Sequence, residues 1–284
     1  MRGTQSLVYV CAACWKRPSL LGWELLWRWG FGIPAAAILY YESARILGAV
    51  DLDRSALSLS DPLQAGQQLA TAATALTPLV VRVALWLGPV LAIGWAIASG
   101  LGRTAVLKRL DPSLRPATLA LILLQLLRMV ALLSVCLGWY SAIRWAAQAT
   151  LYAAQPNLVA YSAWVICLSL GIFVLWALLS WIFSIAPLLA MLEGTGVFRS
   201  LALSLRLGAF TGKLVEVNLV LGIVRLALIV LAIVFSAIPL PFEADMTGTA
   251  LTLWWVAVTI LYLVASDFFQ VARLAAFVQF WRAQ

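Results

Sequence analysis

The sequence predicts an all-α integral membrane protein of six transmembrane helices with interfacial helices on its cytoplasmic side. Three observations carry that reading. Hydrophobic residues make up 64% of the 284-residue chain, where soluble domains hold about 45–50%. Charged residues make up 11%, against about 25% in soluble proteins. Several apolar runs exceed the roughly 20 helical residues that a bilayer crossing needs, and mean hydropathy is +1.00. In a bilayer core the backbone must satisfy its own hydrogen bonds inside helices or a closed barrel. The runs are continuous and rich in Leu, Ala and Val rather than alternating, which selects helices. A soluble two-domain protein is excluded.

The first 22 residues read as a cytoplasmic segment, and residues 23–284 as one membrane domain. No cleavable secretory signal is expected, because the charge near Cys11 to Arg17 comes late and no short apolar stretch leads to a small-residue cleavage site. Span one covers about 23–47 and opens with Trp23, Trp27 and Trp29 as interface anchors. Asp61-Pro62 then starts a helix, with Asp as N-cap and Pro in the first turn. Its Gln64, Gln67 and Gln68 suit an outer-surface helix that leads into span two, about 79–101. Span three covers 117–143, span four 159–191, span five 217–240 and span six 251–278. Span four is too long for one straight crossing of about 30 Å at 1.5 Å per residue. A kink at Pro187, or emergence of its lower part into the cytoplasm, is expected.

Loop charge sets the orientation. Arg2, Lys16 and Arg17 precede span one, Arg103, Lys108, Arg109 and Arg115 separate spans two and three, Arg199, Arg206 and Lys213 separate spans four and five, and Arg282 follows span six. The opposite loops hold Arg54 and Arg144 with Asp51, Asp53, Asp61, Glu243 and Asp245. Excess Lys and Arg marks the cytoplasmic side, so both termini lie inside. Trp139, Trp145, Trp164, Trp254 and Trp255 then form an outer aromatic belt. The same bias accounts for the net charge of +8, and with no long basic run, nucleic acid is not an expected partner.

The sharpest feature is a set of charges inside spans. Arg128, Arg225 and Asp267 lie in spans three, five and six, where an ionised group costs roughly 2.5–3.5 kcal/mol on insertion scales. They are expected to form a buried cluster, either an ion pair that holds helix register or a polar pathway or anion site. Arg128 and Arg225 occupy matching depths, each after a basic cytoplasmic segment (Arg103–Leu110 and Phe198–Leu207), as in a short internal repeat. Glu42, Arg45 and Arg82 lie near the outer ends of spans one and two, where snorkelling accommodates them. Glu42 and Asp267 are acids placed inside spans.

Catalytic sets are missing. The chain has no histidine, which removes Ser-His-Asp and Cys-His nucleophiles and HExxH zinc sites. No enzyme activity, cofactor or metal is expected. Cys11 and Cys14 have the spacing of a metal or redox half-site, but a structural zinc needs four ligands, and Cys136 and Cys167 lie in spans. The segment Phe198–Leu207 places Arg199 and Arg206 on one side and Phe198, Leu201 and Leu205 on another. Such a helix can lie in the inner interface with its cations near anionic lipid, or pack on the bundle as an ordinary loop helix.

Pro187, the turn Glu193-Gly194, and the following helix with Arg199, Ser204 and Arg206 form a pattern. It resembles the segment between spans four and five in a group of six-helix bacterial membrane proteins. That group includes the membrane domain attached to some glycerophosphoryl diester phosphodiesterases. The resemblance implies a multi-pass protein of the bacterial cytoplasmic (inner) membrane. It does not bring the phosphodiesterase reaction, which belongs to a separate soluble barrel. The expected function is a non-enzymatic scaffold or accessory in envelope or lipid homeostasis, with membrane lipids, anionic ones included, as partners. The alternative is a transporter or channel-like protein that uses Arg128, Arg225 and Asp267.

Overall fold

The computed structural model describes residues 3–49, 62–152, 155, 157–206, 211–237 and 248–282, leaving aside the side chains of 3–7, 62–70, 73, 206, 211–218, 225 and 280–282. Among these residues there are eight α-helices and no strand. In chain order they are α1 (Gly3–Trp15), α2 (Pro18–Gly48), α3 (Pro62–Leu110), α4 (Thr118–Thr150), α5 (Leu158–Glu193), α6 (Val197–Arg206), α7 (Thr211–Ala237) and α8 (Gly248–Arg282). Four stretches are long and apolar enough to cross a membrane: Thr74–Leu110 of α3, all of α4, all of α5, and Gly248–Gln279 of α8. The chain is an all-helical, multi-pass membrane protein. α2 has the length, at 31 residues, but Glu24, Arg28, Glu42 and Arg45 with several Trp and Tyr dilute its apolar content. In α7 the apolar stretch is Leu219–Phe235.

The helices overrun the expected spans. α3 is one helix of 49 residues, so the expected outer-surface segment, span two and Arg103–Leu110 are parts of one rod. Pro62 opens it as expected, while Asp61 lies outside the described residues. α5 runs through Pro187 without a break, and the residues around this proline are buried. A proline within a packed membrane helix is tolerated because neighbours re-satisfy the freed backbone groups. Residues 1–22, expected as a cytoplasmic segment, carry α1 and the start of α2.

Local chemistry explains the ends. Proline opens both α2 and α3, where the missing N–H costs nothing. Lys108 and Arg109 sit in the last turn of α3, favourable at the negative end of a helix dipole. Asp111 then accepts from the Ser113 backbone N–H (3.0 Å) and hydroxyl (2.8 Å), closing a turn that Pro112 cannot continue as helix. Asn157 caps α5 by accepting from the Ala160 N–H at 2.9 Å. Gly194, between α5 and α6, has φ of +64°, a left-handed conformation in which glycine avoids a Cβ clash.

The chain divides into two compact units. One comprises 1–27, 101–121 and 178–284, and the other 28–100 and 122–177. The first holds most of the dry core: Leu107, Leu189, Met191 and Val271 are almost wholly buried, and residues 185–191 of α5 and 274–278 of α8 are buried in unbroken runs. Here Gly102 of α3 lies so close to the Trp27 indole that a Cβ would overlap it, and the Arg109 guanidinium stands 4.5 Å from the Trp23 ring centre. The second unit buries far fewer side chains, Leu87, Ala96, Leu124 and Ala146 among them. It is joined by ring and polar contacts, Trp145 edge-on to Trp164 at 5.5 Å and Trp139 donating to Ser169 at 2.9 Å. These tryptophans tie α4 to α5. Between a bilayer and a protein surface of equal apolarity there is little to gain from burying Leu against Leu, so membrane helices are held by packing and hydrogen bonds.

Candidate functional site

In the first unit, α7 and α8 run antiparallel and pack along one another, and α1 packs against both. One end of the pair is latched by Trp254, whose indole N–H donates to the Phe235 carbonyl at 2.9 Å while its ring meets Phe235 edge-on at 6.4 Å. Near the other end, Trp15 of α1 meets Phe268 edge-on at 5.7 Å. α7 and α8 leave two separate stretches of open space with different linings.

The stretch nearer Trp254 is broad, open and apolar, about 730 Å³, lined by Ile229, Ala232, Ile233, Trp255, Val258, Thr259 and Tyr262. The other is a smaller cavity of about 90 Å³ with a mixed lining. Leu221, Gly222 and Leu228 of α7 and Phe269 of α8 supply its apolar wall, and Ser266, Gln270 and Arg273 its polar one. These three lie four and three residues apart, the spacing that stacks side chains on one helical face. Gly222 has nothing within 4 Å of where a Cβ would stand.

Arg273 is held from two sides. Its Nη2 donates to the Ser184 hydroxyl of α5 at 3.0 Å, and its guanidinium centre stands 5.4 Å from the Phe277 ring centre. Ser184 in turn donates to the Trp181 carbonyl at 2.8 Å, leaving its oxygen lone pairs to receive the arginine.

Of the expected cluster, Asp267 is 5% exposed and is engaged by other groups of the protein. Arg128 is half-buried, likewise engaged, and belongs to the other unit. The Arg225 side chain lies outside the described residues, as does that of Arg206. Arg273 was missed, although it lies within the expected span six. The signal that could have found it is the stripe Ser266, Gln270, Arg273 in an otherwise apolar run. Glu24 was also missed; it lies at the start of expected span one and is fully buried, accepting from the Trp27 indole at 2.9 Å. The Glu42–Arg45 pair closes at 2.9 Å with Arg45 mostly exposed, and Arg82 is exposed, consistent with snorkelling charges.

Cys11 is half-buried and Cys14 buried, one turn apart on α1. Burial pushes the Cys11 thiol up, and burial together with the neighbouring Cys11 pushes Cys14 up to about 11. Metal ligation and nucleophilic redox chemistry use the thiolate, a form this site disfavours. Among the described residues no three His, Cys, Asp or Glu side chains converge as a metal-binding group.

On α6, Ser200 and Ser204 are buried, while Phe198 (85% exposed), Arg199 and Leu205 (68%) face out. The Ser200 hydroxyl donates to the Gly196 carbonyl at 2.9 Å and contacts the Thr195 hydroxyl, and Ser204 donates to the Leu201 carbonyl. With their polar atoms satisfied locally, the serines pack as small residues, and the larger apolar side chains are left outward.

No family model, curated protein or solved structure matches the chain.

Proposed function

We propose that this is a non-enzymatic membrane protein, a scaffold or accessory in envelope or lipid homeostasis, whose working partners are lipids. The observation that carries the reading is a segregation of charge in the first unit. Lys16, Arg17, Lys108, Arg109, Arg115 and Arg199 are exposed, while Glu24, Asp111 and Asp267 are buried. A surface with its cations outward and most of its described carboxylates inward attracts anionic headgroups, at about 1 kcal/mol per basic residue near a membrane surface. The outward Phe198 and Leu205 beside Arg199 give α6 the make-up of an interfacial helix. The likeness of the α5–α6 segment to six-helix bacterial inner-membrane proteins agrees with this reading. We place six spans in the chain, α2 and α7 included, with both termini in the cytoplasm.

Extraction of the full chain with its native lipids, followed by native mass spectrometry, tests the reading. Anionic lipids are expected to be enriched over the bulk membrane, and Lys108→Glu with Arg109→Glu to reduce that enrichment. Bulk-like lipid composition in the unmodified protein would reject the reading. Reporters fused after Gln284 or inserted near Leu110 are expected on the cytoplasmic side, and those near Ser58 or Ala154 outside.

A second reading, a transporter or channel-like protein, is favoured by the cavity wall of Ser266, Gln270 and Arg273 beside buried Asp267. Asp267 would then line a pathway, where the first reading places it in a buried ion pair. Modification of Ser266→Cys by a membrane-impermeant thiol reagent favours transport, and complete protection favours the scaffold.

A further inference from the structure

We propose that α1 lies in the membrane interface, with Val8, Ala12 and Trp15 set against bilayer lipid instead of the aqueous phase. The inference rests on the membrane-spanning fold and not on a role in lipid homeostasis. Residues 7–15 read Leu-Val-Tyr-Val-Cys-Ala-Ala-Cys-Trp, an apolar run without a break, and no charge occurs between Gly3 and Trp15. Along this run the helix is apolar on every side, the make-up of a helix buried all round. The protein buries only one of those sides.

Val10 and Cys14, one turn apart, are buried where α1 packs against α7 and α8. Val8 (71% exposed), Ala12 and Trp15 (76%) follow at spacings of four and three, so they share the opposite face. In water that face would be an apolar patch of a kind that soluble surfaces rarely keep. Its position supplies a different neighbour. The Trp15 ring meets Phe268 edge-on at 5.7 Å, and Phe268 lies in Gly248–Gln279, a stretch long and apolar enough to cross a membrane. A hydrocarbon core of about 30 Å, centred on that stretch, takes in about ten residues to either side of its middle at 1.5 Å each. Phe268 falls within it, and a helix docked on Phe268 shares its depth. At 13 residues α1 is about 20 Å long, too short to cross, so it stays within one leaflet. Exposed Lys16 and Arg17 follow at once, placed to reach lipid phosphates, and Trp15 and exposed Tyr9 are of the types that favour the headgroup boundary.

Two measurements on the unaltered full chain, in vesicles of phosphatidylethanolamine and phosphatidylglycerol, test the proposal. In the first, a phospholipid with a diazirine in its acyl chain is activated by light and the labelled residues are read by mass spectrometry. Residues 8–15 should be labelled at least tenfold more than the exposed loop residues Ser113 and Arg115. In the second, hydroxyl radicals are generated in the water phase. Trp15 should be oxidised at least tenfold more slowly than a tryptophan peptide free in solution, although the protein itself leaves most of this side chain uncovered. Protection without lipid labelling would mean that a second copy or another protein covers the face, and would overturn the proposal. Oxidation at the free-peptide rate would overturn it whatever the labelling. Loss of anionic-lipid enrichment with α1 still labelled and protected rejects the role in lipid homeostasis and upholds the placement of α1.

Discussion

Arg273 of α8 donates from Nη2 to the Ser184 hydroxyl of α5 at 3.0 Å, joining two helices 89 residues apart in the chain. Both belong to the unit that holds most of the dry core. A hydrogen bond to a charged group contributes about 1.5–3 kcal/mol. Arg273→Ala is therefore expected to lower stability by that amount, and Ser184→Ala by less, because removing the hydroxyl leaves the cation its other contacts. Thermal unfolding in detergent should show the double variant less destabilised than the sum of the single ones. Strict additivity would mean that the two side chains do not act on each other.

Gly102 provides a packing test. A methyl group there would overlap the Trp27 indole, whereas at Gly138 it meets nothing within 4 Å. Gly102→Ala is expected to cost about 1–3 kcal/mol, as overpacking does. Gly138→Ala, in the interior of α4, should gain up to about 1 kcal/mol from helix propensity alone. Melting temperatures that move in the same direction would contradict the close approach of α2 and α3.

The turn at Gly194 combines a backbone effect with a close contact, since a Cβ there would stand 3.0 Å from the Arg115 Cδ. At φ of +64° an L side chain costs roughly 1–2 kcal/mol. Gly194→Ala should lose that amount, and Gly194→Asn less, since Asn tolerates the left-handed region. Gly196→Ala, two residues on, is expected to be nearly neutral in the same melt.

The α1 thiols make a prediction about pH. Cys14 titrates near 11 in the folded protein, raised from 9.0 by burial and by Cys11. The folded state holds this proton more tightly than the unfolded chain does. Its contribution to stability is therefore complete below pH 9.0 and is lost as pH rises towards about 11. Alkylation at neutral pH should be slow, faster at Cys11 than at Cys14, and should rise about tenfold per pH unit as thiolate forms. A Cys14 rate that levels off below pH 9 would refute the burial.

Asp267→Ala separates a structural carboxylate from one that faces a water path. The side chain is buried and engaged, so removing it should cost about 3–5 kcal/mol if its partner is a buried cation. Unchanged thermal stability in detergent would reject the buried ion pair of the scaffold reading.

Composition alone established an all-helical membrane protein, because no packing pattern can hide so apolar a chain from lipid. It also placed each long apolar helix to within several residues of its core, and the charges at Asp267 and Arg128 were legible as exceptions in apolar runs. Helix ends were less legible. The rods of α3, α5 and α8 continue past the most hydrophobic stretch, and a hydropathy reading stops where charge returns although helical hydrogen bonding does not. Tertiary structure alone decided the rest. Phe198 and Leu205 point outward because Ser200 and Ser204 satisfy their hydroxyls locally and can pack inward as small residues. Arg273 became a site residue because Ser184, distant in sequence, receives one of its N–H groups, and because α7 and α8 leave a cavity against the same face. Periodicity reports which residues share a face of one helix, whereas the neighbour that face meets depends on packing between segments far apart in the chain.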